Sequence, residues 1–417
     1  MANIMDWILI VISSTLFFKS LNRILSYKSN TIADYVMIVI YIFNCLPVLL
    51  DHTIGVPKYT SWYFNFELAL GNDLVRLVYS IYILISIFCL YIYIKRHNVK
   101  ETNIYSRNNS IIFNNKVLPL VILLPYMHIL ITGNLTKYFI YGTYNTRGLT
   151  SSFYQLNTVL VFISMFAFCC LFFCKKVKRG DYLILFLYAF SIMWIDGKRY
   201  IVVTILVMFL FFLLNSIRVK YKRIPIKGVF IFVVLALLIF NSIYSLYIKP
   251  VATSSFDSMY MSYRIDFGRD DVTKFVLYRE LIVDEPILDY RGETFISTIF
   301  MLVPRTIWPS KPYPHYRYLT SELYGTSSEL DIPGGMTPSL YEMSVANFGV
   351  FLGIVVTVFI LIFACRWADR SKSVPRKALY LLLIVGLLTQ SMDALMAYII
   401  LAPLSAFSSW AKRSVNS

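Results

Sequence analysis

The residues with the clearest chemical potential lie in a proline-rich run, MLVPRTIWPSKPYP, at positions 301–314. Proline lacks an N–H donor and clashes with the preceding helical turn, so its four prolines predict a stiff, non-helical ribbon. The cations in and beside this ribbon are Arg305, Lys311, His315 and Arg317. A guanidinium matches phosphate geometry and a preset ribbon loses little entropy on binding, so the run suits a phosphorylated or acidic ligand. The alternative is a surface loop with ordinary solvated charges.

Further polar candidates lie beside apolar segments. Lys198 and Arg199 separate two short apolar runs, where an unpaired charge near membrane depth is costly. They indicate either a ligand site or a tight hairpin whose side chains extend to the membrane surface. Glu342 and Asn347 lie where a polar stretch returns to an apolar one. Glu342 suits a general base, or alternatively a charge favoured at a helix N-terminus.

Metal and disulfide chemistry are not predicted. Four histidines in 417 residues are too few to indicate a metal site. All six cysteines lie within or at the ends of apolar runs, so no disulfide framework can be built from them. The cytoplasmic loops assigned below contain no Asp-x-Asp pair of the type that holds a nucleotide-sugar metal. We therefore expect no metal and no cofactor, and a nucleotide-activated donor from the cytosol is disfavoured.

The composition is typical of a polytopic membrane protein. Hydrophobic residues make up 58% of the chain and charged residues 15%, whereas a soluble domain is about half apolar and a quarter charged. The formal net charge is +16, but the basic residues fall in short clusters between apolar runs, so no nucleic-acid partner is expected. The first apolar run lacks the flanks of a cleavable signal and predicts a retained helix.

Eleven apolar runs are predicted to be membrane-spanning helices. The predicted spans are Ile4–Leu21, Ile32–Leu50, Leu74–Ile94, Val117–Thr132, Phe153–Cys174, Tyr182–Ile195, Tyr200–Asn215, Val229–Ile248, Ala346–Cys365, Ala378–Ser391 and Leu395–Trp410. The sixth and seventh, and likewise the last two, form either two tilted helices or one broken element. The expected fold is therefore all-α, with about eleven transmembrane helices (roughly ten to twelve).

The basic residues also predict the orientation of the chain. One alternate set of short connections, with the C-terminal tail, holds twenty-four Lys and Arg residues, and the opposite set holds five. Because positive charge marks cytoplasmic loops, the N-terminus is predicted outside and the C-terminus inside. The predicted parts are an N-terminal transmembrane bundle over 1–248, a large extracytoplasmic loop over 249–345 and C-terminal transmembrane helices over 346–417.

The long loop has predicted elements of its own. Apolar residues at three-to-four spacing within Asp266–Pro286 predict an amphipathic helix along the membrane surface. Phe295–Leu302 is a second apolar stretch, too short to span a membrane. The segment Thr326–Met336, with Ser, Asp, Pro and paired Gly, predicts a flexible lid.

The order of these motifs resembles one family. Arg147 and Asn157 lie at the head of one predicted helix, and Asp196-Gly-Lys-Arg199 separates two others. The long loop then contains YRELIVDEPILDYRGETF, VPRTIWPSKP and TPSLYEMSVANFGVFLG. In this order the chain resembles the bacterial O-antigen polymerase (Wzy) family, distant relatives of the O-antigen ligases. The most specific match is Pro-Arg-x-x-Trp-Pro-x-Lys-Pro at 304–312, followed by Glu342 and Asn347-Phe-Gly349.

The resemblance is clear over about residues 279–353 and topological elsewhere. It implies a GT-C-like enzyme of the bacterial inner membrane that joins oligosaccharide repeat units on the periplasmic face. In that family the growing chain, carried on undecaprenyl pyrophosphate, is transferred to the non-reducing end of a new lipid-linked unit. The expected partners are this lipid-linked oligosaccharide, membrane lipid and a polysaccharide chain-length regulator. Family members usually have an even number of spans with both ends inside, unlike the eleven predicted here.

The resemblance also implies residue roles. Arginines in the outer loops of the family engage the pyrophosphate and sugars. The expected counterparts are Arg147, Arg199, Arg279 and Arg305, with Lys198, Lys311, His315 and Asn347 as further substrate-binding groups. The ligase relatives carry a histidine just before the loop re-enters the membrane, where this chain has Glu342. Either Glu342 acts as the base beside the catalytic arginines Arg199 and Arg305, or the pyrophosphate leaving group makes a strong base unnecessary.

Two other classes of protein remain open from the sequence. A lipid-linked oligosaccharide flippase or other transporter of the same pathway is the first alternative, although such proteins usually have repeated bundles and short loops. A membrane O-acyltransferase is the second, with His128 as its candidate intramembrane histidine. The long loop and the absence of an internal repeat favour the polymerase.

Overall fold

The computed structural model describes residues 1–25, 31–59, 63–97, 118–139, 149, 151–172, 179–196, 256–300, 303, 305–326, 335–371 and 374–392, with six single residues between 205 and 235. Every regular element within these residues is a helix, which confirms the predicted all-α class for this part of the chain. The longer helices are α1 (Ala2–Leu25), α2 (Ile32–Thr53), α3 (Phe64–Gly71), α4 (Asp73–Arg96), α5 (Leu118–Ile122), α6 (Leu124–Ile131), α7 (Ser151–Phe172), α8 (Arg179–Asp196), α9 (Phe256–Phe267), α10 (Asp270–Tyr278), α11 (Glu293–Ile299), α12 (His315–Tyr324), α13 (Leu340–Arg370) and α14 (Val374–Thr389). Helix α2 contains a π-turn at Tyr41–Cys45, and a second π-turn, Arg279–Val283, follows α10.

Four of the described helices, α1, α2, α4 and α13, are long and apolar enough to cross a membrane. Shorter apolar helical stretches at Leu156–Phe168 and Leu185–Ile195 coincide with two further predicted spans. The predicted spans Tyr200–Asn215, Val229–Ile248 and Leu395–Trp410 lie wholly or almost wholly outside the described residues.

Large apolar side chains on the surface support a membrane location. On α13, Phe351, Leu352, Val355 and Phe359 are exposed, and Phe351 retains 87% of its accessible area. This three-to-four spacing places them along one side of the helix, and a continuous exposed apolar face is typical of a helix in contact with lipid. Helix α1 likewise exposes apolar residues along its length. These helices indicate a membrane protein.

The predicted span Val117–Thr132 is divided in two by a proline. Helices α5 and α6 are separated at Leu123, just before Pro125. Proline has no N–H for the helical ladder, so the regular hydrogen-bond pattern stops there. The Leu123 N–H donates instead to the Leu120 carbonyl (3.1 Å), closing a tighter turn.

The chain divides into two compact units. The first comprises Met1–Lys100, Val251–Asp369 and Leu383–Met396, and the second comprises Glu101–Pro250, Arg370–Leu382 and Ala397–Ser417. In the second unit, α7 packs against α5, α6 and α8. The Ser164 hydroxyl on α7 donates to the Ile122 carbonyl of α5 (2.9 Å) and lies 2.6 Å from the Tyr188 hydroxyl of α8. This one side chain therefore ties three helices together.

In the first unit, α1 packs along α2 and α4, and α10 packs on α3 and α4. Asp6 of α1 is buried and accepts hydrogen bonds from Arg76 Nη2 (2.6 Å) and Ser80 Oγ (2.6 Å) of α4. Its carboxylate also lies 3.2 Å from His52 Nε2 of α2. These partners offset the cost of removing a carboxylate from water, so Asp6 fixes the first two long helices to α4.

The loop helices differ from the prediction in extent and in exposure. A single surface helix over Asp266–Pro286 was expected, but α9 ends at Phe267 and α10 begins at Asp270. All eight residues from Asp270 to Leu277 are buried. The predicted position along the membrane surface is therefore wrong for Asp270–Leu277, because the charged side chains of α10 pair with other charges inside the protein. Most of the predicted lid, Thr326–Met336, lies outside the described residues.

Helix α13 has a bend that separates two kinds of surface. Gly349 has φ 75° and ψ 175°, a left-handed backbone conformation that glycine adopts without the steric cost of a Cβ atom. The residues before the bend, from Leu340 to Asn347, are all buried. The residues after it include the exposed apolar row on α13. The bend lets Glu342 and Asn347 lie in the interior of the loop region while the rest of α13 runs as an apolar helix.

Candidate functional site

The proline-rich run is non-helical over its described residues, 303 and 305–314, as predicted, and Pro304 lies outside them. Arg305 stabilises the fold of this run through two hydrogen bonds. Its Nη2 donates to the Pro312 carbonyl (3.1 Å) and its Nη1 donates to the Lys311 carbonyl. Lys311 Nζ donates to the Val303 carbonyl (3.0 Å). The run therefore folds back on itself through the two cations that the sequence singled out.

Tyr313 brings two arginines together. The Arg305 Cζ lies 4.2 Å from the centre of the Tyr313 ring, and the Arg317 Cζ lies 5.3 Å from it. The electron-rich face of an aromatic ring attracts a guanidinium, so the ring holds two like charges near each other. The Tyr313 N–H donates to the Tyr318 hydroxyl (3.1 Å), which anchors the ring to α12. We call Arg305, Tyr313 and Arg317 the arginine–tyrosine cluster.

The charges of this cluster are not neutralised by acids. Within the described part of the chain, neither Arg305 nor Arg317 lies within ion-pair distance of a carboxylate. Arg305 is exposed and Arg317 is half-buried. Arg279 differs, because its Nη2 lies 2.8 Å from Glu322 and 3.2 Å from Glu285. The arginine–tyrosine cluster is thus available to an anion, whereas Arg279 already pairs with two carboxylates.

An apolar patch lies beside the cluster. Ile299, Phe300 and Ile307 are exposed, with 75% of Ile307 accessible. The Trp308 ring meets Phe300 edge-on at 6.3 Å, and its Nε1 donates to Ser310 Oγ (3.2 Å). We call Ile299, Phe300 and Ile307 the apolar patch. A cationic group next to exposed apolar side chains suits a ligand that is anionic at one end and apolar at the other.

His315 and Glu342 face inward, away from this surface. The His315 Nε2 and Glu342 Oε2 atoms are 2.8 Å apart, and neither residue has any accessible surface. The other His315 nitrogen, Nδ1, lies 3.0 Å from Thr294 Oγ1. Asn347 Nδ2 donates to the same Thr294 oxygen (2.7 Å). The substrate-binding positions predicted for His315 and Asn347 are therefore interior positions in this structure.

Glu342 also caps the helix on which it lies. Its Oε1 accepts the Ser339 N–H (3.0 Å), so both carboxylate oxygens are occupied. A carboxylate in the first helical turn is also favoured by the helix dipole. The sequence left open a base role and an N-terminal role for Glu342. The contacts here are those of the N-terminal role, and the base role stays a prediction.

Helix α11 joins the interior network to the exposed cluster. Thr294, at its first turn, contacts His315 and Asn347. One turn later, Ser297 Oγ donates to the Pro312 carbonyl (3.0 Å), the same oxygen that accepts from Arg305. The buried network of Thr294, His315, Glu342 and Asn347 therefore fixes the backbone that positions the arginine–tyrosine cluster.

Several predicted site residues cannot be placed beside this cluster. Arg147, Lys198 and Arg199 lie outside the described residues, so their convergence with Arg305 stays a prediction. His128, the residue considered for an acyltransferase, stacks on Phe153 with ring centres 4.5 Å apart and lies 3.4 Å from Asn157 Oδ1. No group of three metal-ligating side chains occurs within the residues that the structure describes.

Sequence reasoning missed two features, one in the site and one outside it. Tyr313 stands in the quoted run, and its spacing from Arg305 and Arg317 gives no sign that the ring contacts both. The buried charge cluster around Arg264 was also missed, although Arg264, Asp270 and Asp271 lie within eight residues of each other. The usable signal was Gly268, which lies between Arg264 and the two acids. A turn at this glycine would bring the arginine back beside them.

The comparisons with known proteins were negative. No family model, no curated protein and no solved structure matches the chain. The likeness to the O-antigen polymerases rests on the motif residues alone.

Proposed function

We propose that this protein is an O-antigen polymerase of the Wzy type, an inner-membrane glycosyltransferase that joins undecaprenyl-pyrophosphate-linked repeat units. The observation that carries the proposal is the arginine–tyrosine cluster, two guanidiniums without carboxylate partners among the described residues. The order of the sequence motifs supports the same function. We further propose that the protein has about eleven spans in a GT-C-like arrangement and that the loop carrying the cluster is periplasmic.

The cluster suits a pyrophosphate better than a single carboxylate. Two guanidinium groups near one ring supply several N–H donors, and guanidinium forks match the oxygen geometry of phosphate. Because Arg305 is held by two carbonyls and the Tyr313 ring, little entropy is lost when it meets an anion. The predicted cations Arg147, Lys198 and Arg199 would add to the same charge.

The apolar patch supports a lipid-linked substrate. Ile299, Phe300 and Ile307 offer exposed apolar surface beside the cluster. A polyprenyl chain that lies against such a patch would leave its pyrophosphate next to Arg305. A soluble sugar nucleotide would gain nothing from this patch.

The reaction follows from the chemistry of the donor. A hydroxyl oxygen of the new repeat unit forms a bond to the anomeric carbon of the growing chain, and the bond from that carbon to the pyrophosphate oxygen breaks. Undecaprenyl pyrophosphate leaves with the electron pair, and the hydroxyl proton passes to the leaving group or to water. Cations at the leaving oxygens stabilise the developing charge, and positioning the hydroxyl lowers the entropic part of the barrier.

Glu342 and His315 have a positioning role in this proposal. Both are fully buried, and their contacts lead through Thr294 to helix α11. The leaving group is already activated, so the reaction does not require a strong base at the acceptor hydroxyl. The network instead keeps Pro312 and Arg305 in place.

Deletion of the gene tests the function class. A polymerase acts after the repeat unit has crossed the membrane, so its loss should leave lipopolysaccharide capped with one repeat unit. Loss of a flippase should leave no repeat unit on the surface, and loss of an acyltransferase should leave full-length polymer lacking a substituent. Gel separation of lipopolysaccharide distinguishes these outcomes. A normal ladder of lengths in the deletion strain would contradict the proposal.

A further inference from the structure

A second polar centre lies in the first unit, on different residues from the proposed polymerase site. Arg264 of α9 donates from Nη2 to Asp270 Oδ2 (2.9 Å) and also pairs with Asp271, both on α10. Its Nη1 pairs with Asp51 near the end of α2. Lys274 Nζ donates to Asp270 Oδ2 (2.7 Å) and lies 3.6 Å from Asp51 Oδ2. We call these five residues the Arg264 cluster.

Four of the five residues of this cluster are removed from solvent, and Asp51 keeps 12% of its side chain accessible. Arg264 and Asp270 have no accessible surface, Asp271 has 1% and Lys274 has 3%. Charges in such a place are tolerated only when they are paired and hydrogen-bonded, because the desolvation penalty of a lone ion is large. An excess charge within the cluster is therefore costly, and this cost favours the protonation state in which the charges balance.

The charges of the cluster do not balance when every group is ionised. Three carboxylates face two cations, which leaves one negative charge in excess. Asp270 Oδ1 is buried and has no hydrogen-bond partner within the described part of the chain, and the same holds for Arg264 Nε. Both atoms lie close to Gly268, within 3.4 Å of the position of an added Cβ atom. The bonds present do not satisfy all the buried polar atoms.

Asp271 is the member best placed to carry a compensating proton, because it pairs with one cation whereas Asp51 and Asp270 each lie within ion-pair distance of two. Its Oδ1 accepts from Arg264, and its Oδ2 contacts the Tyr59 hydroxyl. The phenol is an acceptor as well as a donor, so the contact survives when the proton lies on Asp271. Asp270 has less need of a proton, because both Arg264 and Lys274 donate to its Oδ2.

We propose that the Arg264 cluster is a proton-binding site, in which Asp271 holds one proton in mildly acidic solution and releases it as the pH rises through neutrality. A cavity adjoins the cluster on the side of Asp51 and Lys274. It has a volume of about 220 Å³ and is lined by these two residues together with Asp6, His52 and Arg76. Such a polar lining suits water, so solvent reaches the edge of the cluster.

The electrostatic surroundings agree with this assignment. Burial raises the pKa of Asp271 to about 7, although Arg264 opposes the shift. Burial also acts on Asp270, but Arg264 and Lys274 outweigh it and hold the pKa of that carboxyl below its usual value. The charged and titratable groups that act on Asp271 or on its direct partners include Arg264, Asp270, Asp51, Lys274, Tyr59, Tyr79, Tyr260 and Tyr263.

Asparagine is a close mimic of the proposed neutral Asp271. Its carbonyl oxygen accepts from Arg264, and its amide donates toward Tyr59, as the protonated carboxyl does. Asp271→Asn should therefore fold and be stable. Asp284, which is outside the cluster and also in the loop region, offers a matched control, because its left-handed backbone (φ 57°) is one that asparagine tolerates.

The sign of the pH effect on stability follows from the raised pKa. Asp271 titrates near its ordinary pKa in the unfolded chain and at about 7 in the folded protein. The folded state therefore binds more protons between about pH 4 and pH 7, and stability falls as pH rises through this window. Asp270, with its lowered pKa, affects stability only below that window.

The test uses the full chain in detergent micelles or lipid nanodiscs. Infrared difference spectra between pH 5 and pH 9 should show a protonated-carboxyl C=O band that is lost with a midpoint near pH 7. The band should be missing in Asp271→Asn and unchanged in Asp284→Asn. The melting temperature of the wild type should fall between pH 5 and pH 8, and that of Asp271→Asn should change much less.

Four results would overturn the proposal. One is a wild-type spectrum without a titrating buried-carboxyl band. Another is a band that persists in Asp271→Asn, which assigns the proton elsewhere. The third is an Asp271→Asn protein that fails to fold or melts far below the wild type at pH 5, because a neutral mimic should be tolerated if Asp271 is neutral. The fourth is a midpoint that depends on sodium. Replacing sodium chloride with choline chloride should leave the midpoint unchanged, and a shifted midpoint would indicate that the cluster binds a metal ion instead of a proton.

Discussion

His315 Nε2 and Glu342 Oε2 are 2.8 Å apart in the interior of the protein, although the two residues are twenty-seven positions apart in the chain. Each lies in the first turn of its helix, His315 on α12 and Glu342 on α13. The pair therefore fixes the start of one helix to the start of the other. In the proposed function this pair acts through packing, because neither side chain reaches the surface.

Substitutions of Glu342 separate a positioning role from a base role. Glu342→Ala leaves the Ser339 N–H and His315 without their partner, which should lower the free energy of unfolding by about 2–5 kcal/mol. Glu342→Gln keeps an oxygen for Ser339 and an amide donor toward His315. We expect it to retain near-normal stability and most of the polymer, measured by thermal unfolding and by lipopolysaccharide gels. A well-folded Glu342→Gln protein that makes no polymer would establish the base role.

Arg305 should be sensitive to the loss of its fork even when the charge is kept. Arg305→Lys cannot donate to both the Lys311 and Pro312 carbonyls while facing an anion. We expect a loss of about 1–3 kcal/mol in substrate binding, or roughly ten- to a hundred-fold in polymer formation at equal protein level. Lys58→Ala is the control, because this cation is exposed and, among the residues that the structure describes, pairs only with Asp257 at 3.7 Å. Equal polymer from Arg305→Ala and the wild type would remove Arg305 from the site.

Tyr313 should act through its ring and not through its hydroxyl. Tyr313→Phe keeps the ring that both guanidiniums contact, so polymer length and amount should stay near normal. Tyr313→Ala removes the ring, and each cation–π contact contributes about 0.5–1 kcal/mol at a site of this exposure. A several-fold loss of polymer is expected for Ala alone. If the Phe variant is as defective as the Ala variant, the hydroxyl has a role that the contacts do not reveal.

Gly349 should tolerate no side chain because of its backbone angle. The φ of 75° is strained for alanine, and no atom lies within 4 Å of an added Cβ, so the cost is one of conformation alone, about 1–3 kcal/mol. Gly71→Ala is the matched control, because that glycine is equally open but has an ordinary φ. Thermal unfolding should therefore show a lower melting temperature for Gly349→Ala only. An unchanged melting temperature would show that α13 can straighten without loss.

Much of the helical framework could be predicted from the sequence, because long apolar runs fix membrane helices by length. The first three predicted spans match α1, α2 and α4 closely. The division at Pro125 was readable from proline chemistry and was overlooked in favour of hydropathy. The burial of α10 was not readable, because Asp270, Asp271 and Lys274 look solvent-exposed until Arg264 is known to lie beside them.

The candidate site was predictable by residue type but not by placement. Arg305 and Lys311 were singled out from charge and proline content, and the structure keeps them in one turn. His315 was grouped with them, but its side chain is buried against Glu342 at the start of α12. Pairings between residues tens of positions apart depend on the fold and leave no local signal.

The most direct test of the polymerase assignment is a reaction with purified components. Lipid-linked repeat units would be extracted from the deletion strain and mixed with the protein in liposomes, with a chelator present. The proposed function predicts lipid-linked products of two, three and more repeat units, with release of one undecaprenyl pyrophosphate per bond formed, and greatly reduced product from Arg305→Ala. If incubation with fully folded protein leaves only single, unjoined repeat units, the proposed function is contradicted.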